Sequence, residues 1–485
     1  MILIKHFPIL QVISPLLGAL FSILTFRYIL VTRIIVILSI LLSLVFSIYG
    51  LLAIDPSITY DFGNWQAPIG IEYKLDYLNQ PLIIYINSVI LFYLICCNKL
   101  IKETVLEFID KKRRSLFYAI LLFAHAGYLG VLSTNDLFNL YVFIEISSLS
   151  TYVLIAQGNN PKAAVGAFDY LMLGTIGATL ILIAIGFLLS YTGSLNMTDI
   201  SRLLKSNYHS KTVIISISFF LTGALLKTAL FPMHFWMLRA YYSVAPVILI
   251  YIAGISSIVS IYIVLRFIYN IIDYNVILNI FPYFIKPLAI STIIICTYFA
   301  VRAHRIKNIL IYSSVSQMGY IFLLLGTPQG NNIIFPFLLA DSINKIALFL
   351  IVASNELYSS ATLKNAGILW RFLVAFNLIC SCGLPISSMF IIKLTIFELL
   401  LLQNLWIEFL IIISSSCITC LYHYKIAKKL FFEENISKYN LIPLPSPINH
   451  YGLICISIGQ AILVIYLSRV QILYSTLVNN TMLGG

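Results

Sequence analysis

Long apolar runs separated by short polar joints are the feature of this sequence that most restricts its fold. A bilayer core about 30 Å thick needs roughly 20 apolar residues for each helical crossing, and runs of that length recur along the whole chain. Of the 485 residues, 60% are hydrophobic and only 10% are charged, which would drive a soluble domain of this size to aggregate. The chain is therefore predicted to be an all-α membrane protein embedded in a lipid bilayer.

The apolar runs predict about fourteen transmembrane helices. The first run is too long for a signal peptide, lacks a small-residue cleavage site and is followed at once by a second run, so it is predicted to stay as the first helix. The runs lie near 8–31, 34–54, 77–98, 115–134, 136–156, 165–192, 212–237, 245–268, 279–301, 308–326, 333–354, 372–402, 405–424 and 450–474.

Basic residues concentrate in the joints that follow the odd-numbered runs. The joint after the second run is instead acidic, with Asp55, Asp61, Glu72 and Asp76 against the single lysine Lys74. The positive-inside rule then places the basic joints in the cytoplasm and both termini outside, in a bacterial cytoplasmic membrane. The joint at 193–211 is basic although it follows an even-numbered run, and it is predicted to form a surface helix. The basic joints carry Arg33, Lys99, Lys102, Lys111 to Arg114, Lys162, Arg239, Arg302, Arg305, Lys307, Lys364, Arg371, Lys425, Lys428 and Lys429.

The seventh and twelfth runs are interrupted by Pro232 and Pro385. Proline inside a helix removes a backbone hydrogen bond and clashes with the preceding turn, so each run is predicted to be a broken helix. The two breaks are five runs apart, which predicts two five-helix repeats of opposite orientation. The predicted units are 1–114 for three peripheral helices, 115–268 and 279–424 for the repeats, and 425–485 for the fourteenth helix and tail.

Four charged side chains lie inside predicted spans, where each costs at least about 2.5 to 3.5 kcal/mol on insertion scales. They are Glu145 in the middle of the fifth run, Lys227 just before the first break, Lys345 in the eleventh run and Lys393 after the second break. A buried lysine near a carboxylate forms a site whose protonation can switch, and a row of such sites could couple events along the membrane. The pattern predicts movement of protons or cations.

Structural explanations also exist for these residues. Glu145 and Lys227 could form a plain salt bridge between helices. Asp341 lies four residues before Lys345 on the same helix face, so local neutralisation explains that lysine as well as a relay does. His234, just after the first break, is either a proton donor or an interfacial hydrogen-bonding residue.

The remaining reactive side chains predict neither a metal nor a cofactor. Eight cysteines are scattered in apolar runs, as is typical of small buried side chains. Cys417 and Cys420, followed by His423, have the spacing of metal ligands but no second pair, so packing is favoured. His125 and His423 are interpreted as packing or edge residues. The sequence has no phosphate-binding glycine loop and no nucleophile with its base, so no chemistry by this chain alone is predicted.

Several motifs resemble, in order, the antiporter-like subunits shared by Mrp-type cation/proton antiporters and respiratory complex I. The match covers approximately residues 75 to 400, and it implies a fourteen-helix fold with two inverted five-helix repeats. The segment 63–71, GNWQAPIGI, followed by Leu75 and Asp76, resembles the outer loop of the Mrp D subunit. The motifs are NDLFNLYVFIE at 135–145, KTALFPMHFW at 227–236, APV at 245–247, IYSSVSQMGY at 311–320, NK at 344–345 and GLPISSMFIIK at 383–393.

The resemblance implies roles for the residues that match. Two positions depart from the family pattern. Relatives usually carry a lysine early in the eighth helix, where residues 253–260 offer none, and Asp341 stands where many relatives have histidine. The implied roles are the fifth-helix carboxylate for Glu145, its seventh-helix partner for Lys227, the central relay lysine for Lys345 and the terminal lysine for Lys393.

The expected function is that of a proton- and cation-translocating subunit of a multi-subunit Mrp-type Na+(K+)/H+ antiporter, working beside other membrane subunits. One alternative is a proton-pumping membrane subunit of NADH-quinone oxidoreductase, in which this chain would hold no redox centre. A third is a scaffold that has lost transport, which the missing eighth-helix lysine favours. Nucleic acid is not expected as a partner. The basic residues that give the net charge of +12 lie mainly in the joints, where the membrane topology explains them.

Overall fold

The computed structural model describes residues 6–53, 57–106, 109–157, 162–205, 208, 210–272, 282–357, 368–385, 387–432, 451–465 and 467. In these ranges the chain is almost entirely helical, with one β-hairpin. The helices are α1 (Phe7–Leu24), α2 (Ile29–Ala53), α3 (Gln80–Cys96), α4 (Asn98–Thr104), α5 (Arg114–Ser133), α6 (Leu137–Ala156), α7 (Ala163–Thr192), α8 (Met197–Leu204), α9 (Lys211–Lys227), α10 (Phe235–Ser243), α11 (Pro246–Asn270), α12 (Ile285–Arg302), α13 (Ile306–Leu325), α14 (Asn331–Leu357), α15 (Ile368–Cys382), α16 (Ser388–Leu402), α17 (Trp406–Phe431) and α18 (Tyr451–Ile465).

Ten of the described helices are long and apolar enough to cross a bilayer by themselves. The bent pair of α3 and α4, with 65° between its parts, gives an eleventh candidate. The other predicted runs coincide with the broken pairs α9–α10 and α15–α16 and with the short α18. The all-α membrane fold is confirmed, while the number fourteen stays a prediction.

Four helices form the centre of the bundle. In α5, α11, α13 and α14, between 83% and 89% of the residues in the stretch that would cross the membrane are buried, compared with 28% in α2. Because apolar side chains are compatible with lipid, an exposed apolar face on the outer helices is expected in a bilayer. The central position of α14 places its charged residues deep inside the protein.

Both predicted helix breaks are present. The first separates α9 from α10 and the second separates α15 from α16. The predicted surface helix also forms as α8, which has only eight residues. Asn196 caps its start, and the Asn196 side chain accepts hydrogen bonds from two backbone N–H groups. The boundaries of the two repeats and the orientation of the termini stay predictions, and Lys364 and most of the tail lie outside the described residues.

The acidic joint folds into an antiparallel hairpin of β1 (Ser57–Asp61) and β2 (Glu72–Asp76), with Ser57 opposite Asp76. Asp76 forms an ion pair with Arg266 of α11 at 2.5 Å, and both side chains are buried. Burial, helped by the nearby positive charge of Arg266, lowers the pKa of Lys74 on the same strand. The hairpin is therefore fixed to the central helix α11 by a charge pair that the sequence pattern did not indicate.

Candidate ion-translocation site

Glu145 lies near the middle of α6. The Asp136 carboxylate fixes the start of this helix by accepting a hydrogen bond from the backbone N–H of Asn139 at 2.7 Å. The Glu145 side chain is half-buried. In the part of the chain that the structure describes, no basic nitrogen lies within the 4.0 Å of an ion pair from its carboxylate. Glu145 is thus a carboxylate inside a span without a direct ionic partner in those regions.

Lys227 is the last residue of α9, directly before the first break. Its Nζ donates a hydrogen bond to Ser148 Oγ at 2.6 Å, and Ser148 is one turn after Glu145 on α6. Lys227 and Glu145 therefore form no direct ion pair, and their partnership in ion movement stays a prediction. The amine is held by a neutral hydroxyl, which leaves the positive charge uncompensated at close range.

The chain at the first break is ordered by side-chain contacts. Trp236 Nε1 donates to the backbone carbonyl of Leu226 at 3.0 Å, an oxygen at the end of α9 that also accepts from the backbone N–H of Ala229. His234 is 1% exposed, and its ring centroid lies 4.5 Å from that of Phe235. Its Nδ1 atom has no hydrogen-bond partner in the described regions. His234 is therefore a buried imidazole that packs against the ring of Phe235.

Lys345 and Asp341 form a buried ion pair on α14. Lys345 Nζ lies 2.5 Å from Asp341 Oδ2, and each side chain is 5% exposed. The pair borders a cavity of about 30 Å³, which is room for roughly two water molecules. The polar side chains around the cavity are Ser313, Ser314, Gln317, Asp341, Asn344, Lys345, Ser381, Tyr422 and His423.

Lys393 follows the second break on α16 and is 4% exposed. Its Nζ donates to the backbone carbonyl of Cys382 at 3.3 Å, the last residue of α15. Gly383 has a φ of +79°, and a Cβ added there would lie 3.1 Å from the lysine Nζ. Glu398 is exposed, in agreement with a spacing that does not bring it onto the lysine's face. The Lys393 ammonium is therefore held by a backbone carbonyl at the broken end of α15.

The structure adds a residue that the sequence interpretation assigned to packing. His423 of α17 borders the Lys345 cavity, and its Nδ1 atom lies 2.8 Å from the backbone oxygen of Thr419. Thr419 Oγ1 in turn donates to the Cys382 carbonyl at 3.4 Å, the same oxygen that accepts from Lys393. His423 and Thr419 therefore lie between the second broken helix and the central ion pair.

A single histidine in an apolar helix carries little information about which neighbour it faces, which is why the sequence did not single out His423. The polar residues at 313, 314 and 317 give a better signal, since their spacing places them on one helix face. The described regions contain no group of three histidine, cysteine, aspartate or glutamate side chains that could hold a metal ion.

This fold and site define a multi-pass membrane protein with charged side chains inside its helical bundle. A family model described as NADH:quinone oxidoreductase/Mrp antiporter, TM, matches residues 134–419, more than half of the chain. The chain therefore belongs to the NADH:quinone oxidoreductase/Mrp antiporter transmembrane family.

Similar proteins come from both branches of this family. The N subunit of NADH-quinone oxidoreductase from Desulforudis audaxviator is 37% identical over 273 residues, which are 56% of this chain and 53% of that protein. The match therefore spans about half the length of that relative. The D subunit of the Na(+)/H(+) antiporter from Alkalihalophilus pseudofirmus is 28% identical over 404 residues, which are 79% of this chain and 78% of the relative.

A solved structure has the same fold over nearly the whole chain. The structure of the Mrp complex from Dietzia sp. DQ12-45-1b matches with a TM-score of 0.87 at 18% identity, covering 99% of this chain and 98% of that one. At this identity the likeness shows the fold. It supports the helical membrane architecture described above.

Proposed function

We propose that this chain translocates protons, coupled to Na+ or K+, as the D-type subunit of a multi-subunit Mrp antiporter in a bacterial cytoplasmic membrane. Glu145, Lys227, His234, Asp341, Lys345 and Lys393 would be the groups that bind and release the proton. The observation that carries the proposal is the hydrogen bond from Lys227 to Ser148, because it holds a lysine inside the bundle with no direct counter-ion among the described residues.

A lysine held in this way can change its protonation state during a cycle. Desolvation disfavours its charged form, while the charge of Glu145 one turn away on α6 favours it. A small change in the distance between Glu145 and Lys227 would therefore shift the balance between ammonium and amine. A salt bridge with good geometry would instead fix the ammonium form.

The second half offers polar groups for the next step. Lys345 and His423 border one cavity. Water in this cavity can hydrogen-bond to both the ion pair and the imidazole. A proton could therefore move between Lys345 and His423, and the Cys382 carbonyl that holds Lys393 lies 3.4 Å from the hydroxyl of Thr419, one turn before His423 on α17.

The choice of an antiporter is supported by the extent of similarity. The relative from the Na(+)/H(+) antiporter matches over about four fifths of the chain, and the solved Mrp complex shares the fold over 99% of it. A specific observation favours the second candidate, a membrane subunit of NADH-quinone oxidoreductase. The relative with that name has the higher identity, 37%, over a shorter segment. In either assembly other membrane subunits would be the partners.

The test is transport by the whole complex in sealed membrane vesicles, measured as proton movement after addition of Na+ or K+. Glu145→Gln and Lys227→Ala should each abolish transport while the complex still assembles. Glu398→Gln is the matched control, because it removes an exposed carboxylate from a membrane helix without touching the site. Normal transport by both site variants would contradict the proposal.

Identification of the subunits that copurify with the tagged chain distinguishes the two candidates. Small antiporter subunits would support the first assembly, and subunits with iron-sulfur centres would support the second. A chain that copurifies with partners but whose complex transports normally after Glu145→Gln would be a scaffold.

A further inference from the structure

The short helix α18 lies outside both predicted repeats, yet it contacts the centre of the bundle. Its Ile458 and Ile462 side chains are exposed, as expected for a helix at the edge of a membrane protein. Its opposite face carries two polar side chains, Ser457 and Gln460, which lie close together because they are three positions apart on a helix. These two residues make the polar contacts of α18 with the rest of the described chain.

Gln460 contacts a residue that borders the cavity beside Lys345. Gln460 is 1% exposed, and its Nε2 atom donates to Oδ1 of Asn344 on α14 at 2.7 Å. Asn344 lines the cavity together with Asp341 and Lys345. One hydrogen bond therefore joins α18 directly to the lining of the cavity at the central ion pair.

Ser457 makes a polar contact of α18 that does not involve the cavity. Its Oγ atom accepts from Asn377 Nδ2 of α15 at 3.0 Å. Neither Ser457 nor Asn377 is among the described residues that line the Lys345 cavity. The two contacts therefore allow the docking of α18 to be separated from any effect of α18 on the cavity.

The Asn344 amide keeps one polar atom free for the cavity. Its Nδ2 atom has no hydrogen-bond partner in the described regions. Flipping both amides of the Asn344 and Gln460 pair would free Oδ1 instead of Nδ2, so one polar atom of Asn344 stays available in either orientation. The terminal torsion of asparagine is broad, so a side chain without a partner could rotate. The hydrogen bond from Gln460 therefore fixes the direction in which this amide faces.

Two further unpaired polar atoms belong to residues that line the same cavity. They are Gln317 Oε1 of α13 and His423 Nε2 of α17, and both residues are buried. The Thr419 carbonyl, 2.8 Å from His423 Nδ1, can only accept, so Nδ1 carries a proton and Nε2 of the neutral ring is an acceptor. Buried polar atoms are as a rule paired with protein or with ordered water. Together with the Asn344 amide, these atoms mark a binding site for water in the cavity of about 30 Å³.

We infer that Gln460 is a positioning residue for transport, because its hydrogen bond to Asn344 fixes a ligand of the cavity water that carries a proton between Lys345 and His423. In this step Lys345 Nζ loses a proton to the water while another proton of the water forms an N–H bond at His423 Nε2. The products are a neutral amine, an imidazolium and an intact water molecule. Gln460 is not among the described residues that line the cavity, so it acts through Asn344. The inference rests on the proposed function.

The experiment measures proton movement by the assembled complex in sealed vesicles for Gln460→Met. Methionine keeps the length and the apolar part of the side chain but cannot donate to Asn344 Oδ1. The maximal rate should fall about fivefold, the effect of one lost hydrogen bond, while the Na+ or K+ concentration for half-maximal transport stays within about twofold. Ser457→Ala is the matched control, because it removes the other polar contact of α18, and its maximal rate should stay within about twofold of the unmodified complex.

A double variant shows whether Gln460 acts through Asn344. Asn344→Ser removes the amide but keeps a hydroxyl at the cavity, so it should leave part of the transport. Adding Gln460→Met to Asn344→Ser should cause no further loss, because the contact between the two residues is already gone. A further loss of about fivefold would overturn the inference. If Asn344→Ser abolishes transport by itself, the comparison of Gln460→Met with Ser457→Ala decides.

Two other results would also overturn the inference. One is a maximal rate for Gln460→Met within about twofold of the unmodified complex, and the other is an equal loss for Gln460→Met and Ser457→Ala, which would show that only the docking of α18 matters. In both cases the proposed function stands if Glu145→Gln abolishes transport. If Glu145→Gln and Lys227→Ala both leave transport normal, the proposed function itself is wrong.

Discussion

At the first break Lys227 donates a 2.6 Å hydrogen bond to a serine hydroxyl of a neighbouring helix, whereas at the second break Lys393 donates a 3.3 Å bond to a backbone carbonyl. The carboxylates differ as well. Glu145 is half-buried without a basic nitrogen in ion-pair distance in the described regions, while Asp341 is paired with Lys345 at 2.5 Å in the core.

The difference indicates that charged side chains are held in different ways in the two halves of the chain. The first half here means the chain up to α11, and the second half means the chain from α12 onward. In the first half, the distance between an acid and a base is free to change, because neither group holds the other. In the second half, the charge of Lys345 is balanced within one helix, and Lys393 depends on the geometry of a broken backbone. Under the proposed function, the first half is therefore the part in which a neighbouring subunit or an arriving ion would most easily alter the protonation of Glu145 and Lys227.

The largest expected effect concerns stability. Asp341→Asn leaves the buried Lys345 ammonium without its counter-ion, which costs about 3–5 kcal/mol when one member of a buried pair is removed. Glu145→Gln removes a half-buried carboxylate outside any ion pair in the described regions and should change stability little. The midpoint of thermal denaturation of the purified complex should fall by several degrees for the first variant only.

The double variant Asp341→Asn with Lys345→Met is the control for this stability effect. With both members of this buried pair replaced by neutral side chains, most of the lost thermal stability should return. A comparable fall in the denaturation midpoint for Glu145→Gln would show that the two halves do not differ in this way.

A smaller effect is expected for the groups that hold the two lysines. Ser148→Ala removes the acceptor of Lys227, and a hydrogen bond to a charged group is worth about 1.5–3 kcal/mol, so transport should fall about tenfold or more. Cys382→Ala keeps the carbonyl that accepts from Lys393, because this acceptor belongs to the backbone. The measurement is the initial rate of proton movement in vesicles for both variants. An equal loss of transport in Ser148→Ala and Cys382→Ala would contradict this prediction.

The smallest effect concerns the backbone at the breaks. Gly383 has a φ of +79° and Ala229, at the first break, a φ of +56°. Gly383→Ala places a Cβ in a left-handed conformation that costs roughly 1–2 kcal/mol, and directly beside Lys393 Nζ. It should lower both the denaturation midpoint and the transport rate, while Ala229→Gly relieves strain and should change neither appreciably. A harmless Gly383→Ala would show that the second break tolerates a shift of its lysine.

The local features of the fold and site were predictable from the sequence. The apolar runs predicted the helices, the prolines predicted both breaks, and the spacing of Asp341 and Lys345 predicted their shared helix face. These features depend on residues within one or two helical turns, where geometry is set by the helix itself.

Contacts between distant segments were not predictable in the same way. Arg266 meets Asp76 across 190 positions of the chain, and Ser148, rather than the nearby carboxylate, receives the Lys227 amine. Serine in an apolar helix commonly bonds to its own backbone, so its sequence position does not reveal that it faces a lysine. Which neighbour a side chain meets is decided by the packing of whole helices.

Under the proposed function, the cavity beside Lys345 would also limit what could pass through the second half of the chain. With room for about two waters, it cannot admit an alkali metal ion together with its full hydration shell. Such an ion would have to exchange bound water for the few oxygen atoms of the lining, at a large dehydration penalty. A proton needs only a short file of water and side-chain oxygens, so under the proposed function this cavity suits a proton better than a hydrated alkali ion.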